Sequence, residues 1–212
     1  WHLVAPAVHR DDAEGQASTI VLQNAGHECA EAVVELVADG ACAPTAVCDV
    51  PTIAPGAAVA VPLARCAPEG FHGGALVRAS QPLAVVVDTV LGDGLTAYAA
   101  AAAAARPADA PGALASLDRR RAGAPYMAGG PSTDVAVRLA LPAGGAAAAR
   151  WRVTARDASG AVRAERTVEA CAGGVAVASF PAGTLDGPAS LAVEPEGEPG
   201  GDALGVVEER RL

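Results

Sequence analysis

The sequence predicts an all-β protein made of two antiparallel β-sandwiches in tandem. Three observations carry this. Short runs rich in valine, isoleucine and alanine alternate with regular turn punctuation, the pattern of sandwiches. Apolar spacing at three and four residues, the mark of an amphipathic helix, is hard to find anywhere. And five sequence blocks recur in the same order in the two halves of the chain.

The elements follow in order. In the first half, strands are expected over residues 3–8, 17–24, 30–38, 46–52, 57–63, 74–79, 83–91 and 95–99. Between them stand "RDDAEG", "NAGHE", "DGACAP", "APG", "CAPEGFHG", "SQP" and "GDG", whose Gly, Pro, Asn and Asp supply turn conformations. The stretch "GFHGGALVRASQPLAVVVDTV" reads as a hairpin: two strands split at a corner where Pro82 fixes φ and restricts Gln81. Phe71, at its start, is expected to plug one end of a core of small aliphatic residues. The alanine run from Tyr98 to Arg106 and the stretch from Pro111 to Arg121 favour helix locally, but neither has a polar face, so residues 100–123 read as a linker with at most a helical turn. "RRR", at Arg119–Arg121, reads as a solvated patch.

The blocks recur as follows. "APAVHRD…STIVLQNAG" from Ala5 is echoed by "APYMAGGPSTDVAVRLALPAG" from Ala124. "AVVELVADG" is echoed by "WRVTARDASG", and "PTIAPGAAVAVP" by "RTVEACAGGVAVAS". "FHGGALV" is echoed by "LDGPASL", and "LAVVVDT" by "LGVVEER". The offset is roughly 114 to 120 residues throughout, as a divergent tandem repeat requires. The expected organisation is a first sandwich over residues 1–99, a linker over 100–123 and a second sandwich over 124–212.

The first-half blocks, with their "STIVLQN" strand, "DG" corner, "APG" turn, "GFHG" entry and "SQPLA" corner, resemble the immunoglobulin-like β-sandwich repeats of secreted bacterial surface proteins. The second half lacks the "QN" and "GF" elements. The resemblance implies two immunoglobulin-like domains and an extracellular structural or adhesive role. It brings no catalytic residue with it.

Composition narrows the function further. The chain has 212 residues and a net charge of −9, with no lysine, so every basic side chain is arginine. An acidic chain is a poor nucleic-acid binder. No apolar run approaches the roughly 18 residues of a membrane helix, and neither membrane insertion nor a signal peptide is expected from the residues present. The start at Trp1 suggests a processed form or a fragment.

Candidate chemistry is sparse. "HRDD", at His9–Asp12, and "NAGHEC", at Asn24–Cys29, lack the ligand spacing of calcium or zinc sites and read as turns. No G-x-S-x-G motif occurs, and no nucleophile, base and orienting group can be assembled. No catalytic residue, metal or cofactor is therefore expected. Trp1 and Trp151 could stack on sugars, but Trp151 lies on a strand and reads as core. The alternative function, a carbohydrate-binding or accessory module of a larger secreted protein, would need more aromatic surface than 3% Phe, Trp and Tyr supply.

Four of the five cysteines, Cys29, Cys42, Cys48 and Cys66, fall in the first half, and Cys171 in the second. So many in one small β-rich unit suggests an oxidising compartment, hence an extracellular or cell-surface location. With strands in immunoglobulin order, Cys42 pairs with Cys48 across a hairpin. Cys66 and Cys171 then staple the two sandwiches, and Cys29 is free or intermolecular. Finally, lysine-free terminal strands suggest pairing between copies. Trp1, Leu3, Val4 and Val8 at one end and Leu204, Val206, Val207 and Leu212 at the other are the candidates for an end-to-end homopolymer, other surface proteins being the alternative partners.

Overall fold

The computed structural model describes residues 1–11, 13, 15–91, 94–99, 101–102, 122–127, 133–141, 148–185, 187–196 and 204–211. The described residues are all-β apart from one 3-10 turn, Leu63–Arg65. The first half holds β1 (His2–Asp11), β2 (Gln16–Asn24), β3 (Ala32–Ala38), β4 (Ala46–Asp49), β5 (Ala58–Pro62), β6 (Phe71–Ala79), β7 (Leu83–Leu91), β8 (Gly94–Ala99) and β9 (Ala101–Ala102). The second holds β10 (Ala122–Met127), β11 (Thr133–Ala140), β12 (Ala148–Asp157), β13 (Val162–Cys171), β14 (Val175–Phe180), β15 (Ala189–Pro195) and β16 (Leu204–Arg211).

Every described pairing is antiparallel. In the first half one layer runs β4-β3-β6-β1, and the other places β2 between β5 and β7, with β8 beyond β7. The layers join where Arg10 and Asp11 of β1 reach Ala17 and Gln16 of β2. Strict alternation along β2 sends Ile20 and Leu22 inward and leaves Val21 and Gln23 outside, as a sheet with one buried face requires. Leu3, Ala5, Val8, Val34, Leu36 and Val77 meet Ile20, Leu22, Val61, Val85 and Val87 in one core. Phe71 is buried in it. The second half has its own core, in which Val137, Leu139, Ala178 and Phe180 meet Trp151, Val153, Ala170 and Leu191.

The two halves share their pairing scheme. The order β4-β3-β6-β1 recurs as β13-β12-β15-β10, and β5-β2-β7 recurs as β14-β11-β16. Details recur as well. Against β6, the register of β1 slips between Ala5 and Val8; against β15, that of β10 slips between Ala124 and Met127. Both slips start at an Ala-Pro step, Ala5-Pro6 and Ala124-Pro125, and proline, lacking an N–H, belongs at such bulges. Asn24 N–H donates to Ala57 O, and Gly56 N–H to Asn24 O; Leu141 N–H donates to Gly174 O, and Gly173 N–H to Leu141 O. The corners after β3 and β12 both end in a left-handed glycine, Gly40 at φ 75° and Gly160 at φ 86°, where a Cβ would be strained.

Three expectations are corrected. β6 and β7 do not form a hairpin: β6 pairs with β3 and β1, and β7 with β2 and β8. The corner carries the chain from one layer to the other. It is pinned on one side by Ala79 N–H to Trp1 O and Ser80 N–H to Glu31 O, and on the other by Ala25 N–H to Pro82 O. The strand order consequently departs from the immunoglobulin order, in which the sixth and seventh strands share a sheet. Lastly, the expected linker starts and ends in strand: β9 pairs with β1 at Leu3 and Val4, and Ala122 and Gly123 pair with β15. Tyr98 lies in β8, while residues 103–121, with the arginine run, fall outside the described residues.

Candidate functional site: the junction between the halves

The most elaborate chemistry lies where the two halves meet. Arg138 sits on β11 between Val137 and Leu139, which face the second core, so its own side chain points out of that sandwich. It is buried against the first half. Its Nε donates to both carboxylate oxygens of Asp39, at 3.1 and 3.2 Å, and its Nη2 donates to Oδ2 at 2.9 Å. Such forked, charge-assisted bonds are the strong kind. Asp39 stands at the corner after β3, held by its own N–H donating to His72 O.

Around this pair the halves touch through three further kinds of contact. Val4, Val37 and Leu76 on the outside of the β4-β3-β6-β1 layer pack with Ala140 and Val175. Gly74 makes room for this: a Cβ there would lie 2.9 Å from Val175 Cγ2. Backbone bonds run from Gly40 N–H to Val175 O at 2.9 Å and from Val175 N–H to Ala41 O at 3.3 Å. A disulfide joins Cys42 to Cys171, with Cα atoms 5.5 Å apart.

Behind Arg138 lies a histidine pair. His9 and His72 are cross-strand partners on β1 and β6, and their Nδ1 atoms are 2.9 Å apart. One ring must donate and the other accept. His72 Nε2 faces Asp11 Oδ2 at 3.6 Å. The carboxylate favours a proton on that nitrogen, which leaves His72 Nδ1 as acceptor and His9 as donor. Burial, and then the Arg138 charge, lower the His9 pKa to about 4, against a raising effect of Asp39. His72 is lowered too, by burial first and then by His9 and Arg138, although Asp11 and Asp39 oppose it. The pair is therefore neutral at pH 7. His9 N–H also donates to Ser18 Oγ at 2.9 Å, and Ser18 Oγ lies 2.8 Å from Thr89 Oγ1.

The disulfides correct the expected pairing: the bonds are Cys42–Cys171 and Cys48–Cys66, not Cys42–Cys48 and Cys66–Cys171. β4 and β5 border opposite layers. Cys48 points inward from β4 into the core, and Cys66, after the 3-10 turn that follows β5, packs against the same core. Their bond closes the flank of the sandwich. Cys42, in the corner loop before β4, is exposed on the side of the second half and out of line with Cys48. Cys29 is an exposed free thiol. It ends a loop ordered by Asn24, whose Nδ2 donates to Glu28 O and Ile53 O while its Oδ1 accepts from Gly26 N–H.

Of the two terminal strands expected to be open edges, β1 is not one, whereas β16 is bonded on one side only, by β11, among the described residues. β1 bonds β6 on one side and β9 and β2 on the other, and Leu3, Val4 and Val8 are buried within the chain. Trp1 is exposed, its ammonium donating to Ala79 O. Leu204, Val206 and Val207 lie on β16, paired with Ala140, Arg138 and Val137 of β11. Leu212 lies outside the described residues. Trp151 is buried in the second core.

Sequence reasoning read "HRDD" as a solvated turn and left His72, Asp39 and Arg138 unassigned. One signal was present: Arg138 is a lone charge within the apolar run "VAVRLALP". Among the described residues, no group of three or more His, Cys, Asp and Glu is placed to hold a metal, and no helix is long and apolar enough to cross a membrane.

No family model matches the chain, and no curated protein matches it. Among solved structures, the crystal structure of Thermotoga maritima 1070 is similar at a TM-score of 0.38 and 14% identity, over 47% of this chain and 91% of that one. A likeness this shallow says nothing about fold or function here.

Proposed function

We propose that the chain is a non-catalytic structural or adhesive module of an extracellular surface, built as two copies of one β-sandwich clamped together. The observation that carries this reading is the junction. A disulfide, a part-buried bidentate ion pair, an apolar cluster and two backbone bonds converge on one contact between units that share a strand order. A spacer that must keep its geometry under load has use for such redundancy, and the two disulfides suit an oxidising location. Self-association completes the reading. Because β1 has neighbours on both sides, contact through a sheet face or the outer edge of β16 replaces the expected pairing of both terminal strands.

The test is the thiol state of native material. Alkylation without reductant, followed by peptide mapping, should recover Cys42 linked to Cys171 and Cys48 linked to Cys66, from a fraction released by surface proteolysis of intact cells. Free thiols at these four positions in native material would sink the extracellular assignment.

A further inference from the structure

We propose that the junction is an acid-operated latch: charging the His9–His72 pair parts the two halves around Arg138, while the Cys42–Cys171 bond keeps them tethered. The placement of the pair comes first. Val8 and Phe71 face the first core. His9 and His72, the next residues along β1 and β6, therefore stand on the opposite face of that layer, the face that carries Val4, Val37 and Leu76. The second half covers this face. A polar ring there would otherwise meet water; instead His9 is 4% exposed and feels the charge of Arg138.

The pair tolerates one added proton and not two. Its Nδ1 atoms are 2.9 Å apart and need one hydrogen between them. The first extra proton settles on His72, whose Nε2 faces Asp11 at 3.6 Å, and His9 turns from donor to acceptor. A second proton sets two N–H groups against each other and adds a buried cation beside the Arg138 guanidinium. The other groups around the pair do not relieve this. Asp39, on the corner after β3, favours the charged ring but is engaged by the Arg138 fork. Arg10, next on β1, is a further cation, paired with Glu69. Ser18 on β2 and Thr89 on β7 are neutral. On β16, Val206 stands opposite Arg138, and the nearest acid along that strand, Glu208, stands opposite Ala136.

Parting the halves removes the conflict. It takes Arg138 away and returns water to both rings, so in the open form the pair titrates near the ordinary 6.5, whereas in the closed form His9 titrates at about 4. The closed form is therefore disfavoured as pH falls from 6.5 toward 4, and for His9 alone the ratio of open to closed rises by about 300-fold. His72, lowered as well, adds in the same direction. The response is local, because each half keeps its own core while the contact between them is thin: one ion pair, a small apolar cluster and two backbone bonds. The Cys42–Cys171 bond does not titrate, so the halves swing about it. The latch adds a moving part to the module proposed above, and the two fail separately: free native thiols would sink the location, and a junction indifferent to acid would sink the latch.

The test is amide exchange of the full oxidised chain, expressed as protection factors, between pH 7 and pH 4. Gly40 and Val175, whose N–H groups bond across the junction, should lose protection by about 100-fold, while Ile20 and Val153 in the two cores keep theirs. Small-angle scattering should give a larger radius of gyration at pH 4, restored on return to pH 7. His9→Gln with His72→Gln should hold the protection of Gly40 and Val175 level across this range. If that variant is already open at pH 7, His9→Gln alone replaces it: with one histidine left the second proton has no site, and the loss should shrink at least about tenfold. Equal behaviour of junction and core amides in the natural sequence, whether both hold or both fail, or an unaltered loss in the histidine variants, would overturn the proposal.

Discussion

At the scale of single residues, the histidine pair sets how the fold responds to acid. His9 is buried beside Arg138, and its pKa in the folded chain is about 4, against an ordinary value of 6.5. Between these values the unfolded chain binds a proton that the folded chain refuses. Stability must therefore fall as pH drops from 6.5 toward 4, and His9 stops contributing below that window. The full effect is about 3 kcal/mol, reckoned at 1.36 kcal/mol per pKa unit. His72, lowered as well, adds in the same direction. Thermal melts from pH 7 to pH 4 should show this slope, and His9→Gln with His72→Gln should flatten it. An unchanged slope in the double variant would mean that other groups govern the acid response.

At the scale of elements, much was readable in advance and some was not. The strands of the first half were legible because β-branched runs and Gly/Pro punctuation are local signals; β7 runs over residues 83–91, the span expected for it. The Ser80–Pro82 corner was misread because a turn within one sheet and an arch between two layers need the same residues. Only the partners Trp1, Glu31 and Ala25, distant in sequence, decide between them. The junction was half legible: Arg138 stands out in its strand, but nothing local names Asp39 as its partner. The disulfides failed for a related reason, since pairing depends on which side of a strand each cysteine faces. Cys48–Cys66, spanning a sequence separation of 18, ties the outer strand of one layer to that of the other. In the chain-entropy account such a loop contributes about 3 kcal/mol. Cys48→Ala with Cys66→Ala should lower stability in denaturant by about that much, and the loss should show in amide exchange of β4 and β5 while β12 and β13 stay protected. Equal loss of protection in both halves would show that the bond does not act locally.

At the scale of the whole molecule, the question is whether two cores behave as one. Each half has its own buried cluster, so each has the means to fold alone. What couples them is the junction, and its parts act on different terms. The Cys42–Cys171 bond joins positions 129 apart in sequence and restricts the unfolded chain strongly, by about 5 kcal/mol in the entropic account. The Arg138–Asp39 fork acts in the folded state, where hydrogen bonds between charged groups are worth about 2 kcal/mol. The apolar cluster around Val175 adds burial that survives loss of either. Cys42→Ser with Cys171→Ser alone should therefore leave the halves docked, with one cooperative thermal transition at a lower temperature. Adding Arg138→Gln leaves Asp39 without its fork and removes the second tie. In that triple variant calorimetry should resolve two transitions, one per core, and the radius of gyration at 25 °C should rise as the halves separate. A single transition and an unchanged radius in the triple variant would mean that the apolar cluster and the backbone bonds at Val175 hold the halves without help, and that the disulfide and the ion pair do not couple the two cores.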